Sequence, residues 1–286
     1  GIKLFDQITG GFQKDAVHTI IGETGGGKTQ LCMSMAWAIM QQTSTLILSF
    51  ESAPEMILDR LCAFGARQPG IGYGDFTKGC KPRYATDAKG NPSLEHIAMS
   101  GAEIHRINTE YDRLDKWQKN GQVFIVKNAG MLSLPNLYTY MGKWIKERGI
   151  GMVIWDGFGD MVIPGAPIFE RTIVTMQYAE RIAVDFNVAI LGTSQGGRNT
   201  KGRADSVLRL QDGAGGQGGE NTSSVHVSIY DPYLLAQRGR IERHEIDETQ
   251  CPEGHAILSI NKLRWGALTI NSVLVRSLGG AGFYNP

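Results

Sequence analysis

A glycine-rich stretch near the start of the chain has the residue types and the spacing that bind phosphate. It fits the pattern G-x-x-x-x-G-K-[ST] and consists of Gly22, Glu23, Thr24, Gly25, Gly26, Gly27, Lys28 and Thr29. Glycines let backbone N–H groups converge on phosphate oxygens, and a helix that begins near the lysine turns its positive dipole end toward them. An apolar run precedes the stretch and a helical pattern follows it, as in a P-loop. We therefore predict a nucleoside triphosphate site in which Lys28 reaches the β- and γ-phosphates and Thr29 holds Mg²⁺.

Three polar residues end apolar runs elsewhere in the chain, and together they supply the remaining parts of a hydrolysis site. They are Glu51, Asp156 and Gln195. Ligands of an open parallel sheet bind outside the carboxyl ends of its strands, so these residues are expected to meet the P-loop at one edge. Asp156 is predicted to bind Mg²⁺, Glu51 to act as general base toward water, and Gln195 to hydrogen-bond the γ-phosphate. The alternative for Asp156 is an ordinary turn residue, and the alternative for Glu51 is a cap at the entry of the following helix. For Gln195 the alternative is an ordinary polar loop residue.

Two cations late in the chain are candidates for a role at a subunit interface. Lys262 and Arg264 are two positions apart, so they share a face if their segment is a strand. A planar guanidinium suits the spread charge of a phosphoryl-transfer transition state. Because the pair lies far along the chain from the P-loop, we predict that it acts in trans on a neighbouring subunit's site. A solvated or structural pair is the alternative.

A basic, glycine-rich segment follows Gln195 and is a candidate for nucleic-acid binding. Its cations are Arg198, Lys201, Arg203 and Arg209. Such a loop contacts phosphates independently of base sequence, and the absence of interleaved aromatic residues argues against base stacking. We predict contact with single-stranded DNA, the alternative being a solvated basic loop. Residues 157–165, after Asp156, are a second candidate loop for the same contact.

Alternating strand and helix patterns are expected to position these residues. The helical patterns cover about 30–42, 54–66, 135–148 and 169–186, and the strand patterns cover 17–21, 45–50, 123–126, 152–155 and 188–192. This alternation predicts an α/β fold with a mainly parallel sheet flanked by helices. Further strand patterns at 225–230, 256–260 and 269–275 predict a strand-rich C-terminal edge. Residues 68–92 look irregular, and 93–119 are predicted as one long peripheral helix, the alternative being a helical insertion over 70–120.

The whole chain suits one domain over residues 1–286. Its 286 residues are 42% hydrophobic and carry a net charge of +1, so a nucleic-acid partner requires a local basic patch. No apolar run has the length of a membrane-spanning helix, no secretory leader is present, and we expect no membrane partner and a cytoplasmic setting. Four cysteines without a C-x-x-C pair predict reduced thiols, and Cys251 with His255 is too small a set for zinc. Because the chain starts at Gly1 rather than Met, we expect a fragment of a longer protein.

The order of these motifs resembles that of RecA-fold hexameric helicases. The motifs are 22–29, 49–52, 154–156, 193–195 with Arg198, and 261–264, and the chain looks like the motor domain of a DnaB-type replicative helicase, cellular or phage. The resemblance implies a RecA-like core that uses ATP or another NTP with Mg²⁺, and a homo-hexameric ring on single-stranded DNA during replication. It also places Phe283 near the nucleotide base, and it implies a primase or a helicase loader as partner and a further domain before Gly1. The implied setting is the cytoplasm of a bacterium or of a phage-infected cell.

The segment after Gln195 departs from the family pattern. Gly196 and Gly197 stand where DnaB has Leu and Asn, and the P-loop is richer in glycine than the bacterial form. Two other functions share the fold and stay open at this point. One is a RecA-like recombination or strand-exchange ATPase that forms filaments, and the other is a regulatory, clock-type P-loop ATPase that needs no DNA.

Overall fold

The computed structural model describes residues 2–50, 52–66, 78–86, 92–127, 132–196, 212, 221–237, 239, 241–265, 270–276 and 283–284. Its α-helices are α1 (Lys3–Thr9), α2 (Lys28–Met40), α3 (Pro54–Ala66), α4 (Gly101–Lys119), α5 (Leu134–Arg148), α6 (Ile168–Phe186) and α7 (Pro232–Gln237). Its strands are β1 (Val17–Gly22), β2 (Thr45–Ser49), β3 (Cys80–Thr86), β4 (Pro92–Ala98), β5 (Val123–Lys127), β6 (Met152–Asp156), β7 (Ala189–Gln195), β8 (Val225–Tyr230), β9 (His255–Leu263), β10 (Ile270–Arg276) and β11 (Phe283–Tyr284). Short 3₁₀ turns lie at Phe158–Asp160 and Arg243–Glu245.

The main sheet has nine strands in the order β11-β10-β9-β8-β1-β7-β6-β2-β5. The strands from β8 to β5 run parallel to one another, whereas β9, β10 and β11 are added antiparallel at one side. Parallel strands are joined by crossover helices that return the chain to the opposite edge of the sheet. The predicted mainly parallel sheet with a strand-rich C-terminal edge is therefore confirmed.

The central strands are buried on both faces because helices cover each side of the sheet. β1, β2 and β6 are buried along their whole length. One core contains apolar side chains of α2 and α3, and a second core on the other face contains those of α5 and α6. Continuous apolar runs are what a parallel sheet requires, since both faces exclude water.

The predictions for residues 68–119 are wrong in part. β3 and β4 form a separate antiparallel pair, so residues 93–98 are strand rather than helix. The helix α4 begins at Gly101 because Ser100 caps it: the Ser100 side chain accepts from the N–H of Glu103, and the Glu103 carboxylate accepts from the N–H of Ser100. Residues 67–77 and 87–91 lie outside the described part of the chain.

The helix α4 belongs to the same core as the sheet. Leu114 is buried with the residues of the first core, and the ring of Trp117 lies 5.3 Å from that of Trp37 on α2. This packing places α4 against the core of the main sheet, and the extent of the domain over residues 1–286 stays a prediction.

Three further features of the described residues bear on the class of protein. No helix among them is both long enough and apolar enough to cross a membrane. The four cysteines are free thiols, as predicted. The described part of the chain also holds no group of three or more His, Cys, Asp or Glu side chains suited to a metal ion.

Candidate nucleotide site

The glycine-rich stretch forms a loop between a buried strand and a helix. β1 ends at Gly22, α2 begins at Lys28, and Gly25 and Gly27 have positive φ angles of 79° and 93°. Only glycine adopts such angles without steric cost, so the loop backbone depends on these two positions. The N-terminus of α2 therefore points out of the sheet edge with its N–H groups and positive dipole end available to an anion.

The Lys28 ammonium lies inside the loop. Its Nζ donates to the carbonyl oxygens of Gly22 and Glu23, both at 2.9 Å. The Gly22 oxygen also accepts from the N–H of Gly196 at 2.9 Å. One carbonyl thus links the phosphate-binding loop to the residue that follows β7.

Asp156 lies at the end of β6 beside the loop and receives two hydroxyl groups. Its Oδ1 accepts from Thr193 Oγ1 at 2.9 Å and from Thr29 Oγ1 at 3.2 Å. The Cys32 thiol of α2 is buried near this carboxylate. Burial, and in second place the negative charge of Asp156, raise the pKa of Cys32 well above its ordinary value, so it remains a neutral thiol.

A cavity of about 370 Å³ collects the predicted site residues that belong to this edge of the sheet. Among its lining residues are Lys28, Thr29, Asp156 and Gln195. The parallel arrangement brings them together, since β1, β6 and β7 all end at this edge. The volume is in the range of small-molecule sites.

The cavity also contains residues to which the sequence analysis assigned no individual role. They include Arg60 from α3, Asp160 from the 3₁₀ turn, and Thr193 and Ser194 from β7. The Ser194 hydroxyl is buried and makes no hydrogen bond among the described residues. Arg60 carried no signal because arginine is ordinary in a helix. The polar run 193–195 at the end of an apolar strand was the available signal for the other two.

Lys262 and Arg264 lie toward the other end of the strands, opposite the end that carries the P-loop. The backbone N–H of Arg264 donates to the backbone carbonyl oxygen of Ser224, and the backbone N–H of Ser224 donates to that of Val17, each at 2.8 Å. Arg264 is therefore level with the first residue of β1, whereas the P-loop follows the last one. At about 3.3 Å per residue, the five steps from Val17 to Gly22 separate the two by roughly 16 Å along the strands.

The two cations occupy different backbone settings. Lys262 lies in β9, just after an irregularity in its pairing with β8, and Arg264 is the first residue beyond the strand. The strand geometry that would place both on one face therefore ends between them. Arg264 contacts Glu180 Oε1 of α6 at 3.7 Å, and its side chain remains 55% exposed.

Phe283 is a buried anchor of the loop. Its ring is 1% exposed, its N–H donates to Ser34 Oγ of α2 at 3.1 Å, and its Cζ lies 2.8 Å from the position that a Cβ on Gly27 would take. The ring thus packs against the start of α2. Its predicted place near the nucleotide base stays a prediction.

Five predicted site residues lie outside the described part of the chain. They are Glu51, Arg198, Lys201, Arg203 and Arg209. For Glu51, the residues on both sides are described: Ser49 Oγ donates to the Ser52 oxygen at 2.6 Å, and Ser52 lines the cavity.

The chain combines a phosphate-binding loop of the P-loop type with a RecA-like sheet. The family model described as "ATPase: KaiC" matches residues 1–68, which include the P-loop. The replicative DNA helicase DnaB of Treponema pallidum (strain Nichols) is 25% identical over 215 residues, which are 74% of this chain and 43% of that protein. The chain thus spans less than half the length of this curated relative.

Two solved structures share the fold over the whole chain. One is a DnaB-like replicative helicase, described with its interactions with primase, at a TM-score of 0.76 and 14% identity; 61% of that chain is covered. The other is described as the ATPase domain of a second protein, at a TM-score of 0.77 and 14% identity, with 90% of that chain covered. These comparisons confirm the resemblance to DnaB-type helicases and the RecA-like fold class.

Proposed function

We propose that the chain is the motor domain of a DnaB-type DNA helicase that hydrolyses ATP or another NTP and moves along single-stranded DNA as a homo-hexameric ring. The observation that carries the proposal is the division of the site. The P-loop, Asp156 and Gln195 share one cavity, whereas Arg264 lies at the other edge of the sheet. A transition-state cation at that edge serves the site of a neighbouring copy.

The residues of the cavity fit a nucleotide with Mg²⁺. Thr29 and Asp156 place a hydroxyl and a carboxylate oxygen 3.2 Å apart, and such hard oxygen donors suit Mg²⁺, which keeps several waters. When bound, the ion neutralises charge on the β- and γ-phosphates. Lys28 and Arg60 would bind phosphate oxygens, and the Gln195 amide would hydrogen-bond the γ-phosphate. Glu51 would take a proton from the attacking water.

Mixing two inactive variants tests whether Arg264 acts in trans. Arg264→Ala keeps its own P-loop but gives the neighbour no guanidinium, and we expect a loss of roughly 10³- to 10⁵-fold in ATPase rate, as for other arginine fingers. Lys28→Ala loses its own site but still supplies Arg264. Mixed rings contain some interfaces with both groups intact, so ATPase activity is expected to return on mixing.

The control is a variant of a different arginine. Arg148→Ala, at the C-terminal end of α5, removes a cation of the same size and is expected to leave ATPase activity unchanged. Failure of the mixture to regain activity, with both variants shown to assemble, would exclude action in trans. Particle images with ATP and single-stranded DNA separate rings from filaments, and a forked-duplex assay separates a helicase from a clock-type ATPase.

We assign DNA binding to the basic segment after Gln195. The place where this segment begins supports the assignment. Gln195 lines the cavity, and the backbone N–H of Gly196 donates a hydrogen bond to the carbonyl oxygen of Gly22, the first residue of the P-loop. A change of hydrogen bonding at the γ-phosphate would then be transmitted along the chain to Arg198, Lys201, Arg203 and Arg209. Segments that change conformation when contacts to a γ-phosphate form or break are a known switching device.

Charge reversal tests the DNA assignment. Arg203→Glu with Arg209→Glu is expected to weaken single-stranded DNA binding and to reduce its dependence on salt, because fewer counterions are released. Lys119→Glu with Lys143→Glu, on exposed helix positions, makes the same change in net charge and is the control. Equal weakening by both pairs would remove the assignment. Primase binding is proposed here by similarity to the DnaB-like structural relative, which is described with its interactions with primase, and loader binding is proposed from the family resemblance alone.

A further inference from the structure

The carboxylate of Asp156 is held from two sides by hydroxyl groups. Thr29 approaches from the P-loop helix at 3.2 Å, and Thr193 approaches from β7 at the shorter distance of 2.9 Å. Both donate to Oδ1. Asp156 and Thr193 are buried, with 6% and 3% of their surface exposed. A hydrogen bond between buried groups is little weakened by water, so Thr193 contributes to the orientation of this carboxylate.

The register of two neighbouring strands explains why Thr193 reaches Asp156. Trp155 of β6 pairs with Gly192 of β7, so the next residues along each strand lie side by side. The ring of Phe158 packs against Gly192 so closely that a Cβ there would overlap it. Asp156 is therefore tied to β7 by a side-chain hydrogen bond, and the turn that follows it is tied to the same strand by the contact of the Phe158 ring.

We propose that Thr193 is a positioning residue that holds Asp156 for the metal ion and couples it to the strand ending in Gln195. The inference rests on the proposed function, since it concerns the same nucleotide site. A threonine hydroxyl has one proton to donate, and here it is donated to the carboxylate. Outer groups that orient a ligating side chain typically change metal affinity by about 10- to 100-fold when removed.

Metal binding in the presence of ADP tests the proposal without relying on turnover. Thr193→Val removes the hydroxyl at nearly constant volume, and Thr193→Ala removes it at smaller volume. We expect both to bind fluorescent ADP in EDTA as the unchanged protein does, but to bind Mn²⁺ in the ADP complex about tenfold or more weakly. Thr193→Ser keeps the hydroxyl and is expected to restore Mn²⁺ affinity, measured by electron paramagnetic resonance titration.

Thr19→Val is the matched control. Thr19 is also a buried threonine of a central strand, and its hydroxyl has no hydrogen-bond partner among the described residues. Its replacement is expected to leave Mn²⁺ affinity unchanged. Mn²⁺ affinity in Thr193→Val equal to that of the unchanged protein, or an equal loss in Thr19→Val, would overturn the inference alone. An unchanged protein that binds neither ADP nor Mn²⁺ would overturn both the proposed function and this inference.

Discussion

Two independent constraints act on Gly27 at the scale of single residues. Its φ angle of 93° lies in the region that favours glycine, and Phe283 approaches the side where a Cβ would project. The first constraint shapes the phosphate-binding loop, and the second ties the loop to the last described strand. Gly27 is therefore required for more than close approach to a phosphate.

Substitution of Gly27 tests both constraints together. Gly27→Ala is expected to lower the free energy of unfolding by about 2 kcal/mol, from the positive φ and from displacement of the Phe283 ring, and to weaken ATP binding. Urea unfolding and fluorescent nucleotide titration measure the two effects. Gly101→Ala, at the start of α4 with open space around it, is the control and should lower neither stability nor ATP binding. Unchanged stability in Gly27→Ala would show that the ring does not constrain the loop.

At the scale of elements, β7 organises the site. Gly192 receives the Phe158 ring, Thr193 contacts Asp156, and Gln195 lines the cavity. β7 also lies between β1, which leads into the P-loop, and β6, which ends in Asp156. A displacement of this strand is therefore expected to reach every described part of the nucleotide site.

A double-mutant cycle measures the fit between β7 and the 3₁₀ turn. Phe158→Ala is expected to cost about 3–5 kcal/mol of stability as a large-to-small core change. Gly192→Ala is expected to cost about 1–3 kcal/mol through overpacking. With Phe158 already truncated, the added methyl enters the vacated space, so the second change should cost little. Simple addition of the two costs in urea unfolding would contradict direct packing of the ring on Gly192.

At the scale of the whole molecule, two buried histidines make stability depend on pH. In His18, Nε2 accepts from the N–H of Gln13 at 3.2 Å, so the ring proton of the neutral form is on Nδ1, 3.3 Å from the Ile190 oxygen. Burial lowers the pKa of His18 to about 4, despite the opposing hydrogen bond to Ile190. Burial and the nearby charge of Lys262 lower the pKa of His226 to about 3.

The sign of the pH effect follows from these shifts. Below about pH 6.5 the histidines of the unfolded chain gain protons while the folded ones do not, so the unfolded state is favoured. Stability should be full above pH 6.5 and fall by up to about 1.4 kcal/mol per pH unit for each histidine as pH decreases toward 5. Urea unfolding between pH 7 and 5 measures this slope.

Replacing one histidine measures how much that residue contributes to the dependence of the free energy of unfolding on pH. His18→Phe, within the ring cluster of Phe5 and Phe12, is expected to be less stable at pH 7 because it loses two hydrogen bonds, but its slope should be smaller. His105→Phe, at an exposed position of α4, should retain the full slope. A slope in His18→Phe as steep as that of the unchanged chain would contradict a neutral buried His18.

Contiguous features were predictable from the sequence alone. The strand, loop and helix around Lys28 form one local unit, and Asp156 directly ends an apolar run, so backbone geometry along the chain was enough to identify them. Alternation of helix and strand likewise determined the parallel sheet, because parallel strands need crossover connections. The strand pair β3 and β4 was not predicted, because its short, polar strands resemble the helical pattern that follows.

Contacts between elements were decided only by the tertiary structure. Thr193 meets Asp156 because of the register between β6 and β7, and Arg60 enters the cavity because of the way α3 packs, neither of which is written in spacing along the chain. The burial of His18 depends on α1 and on the sheet together. The position of Arg264 at the edge opposite the P-loop depends on the antiparallel direction of β9. Sequence determined which chemical groups are present, and strand order determined which of them one chain can bring together.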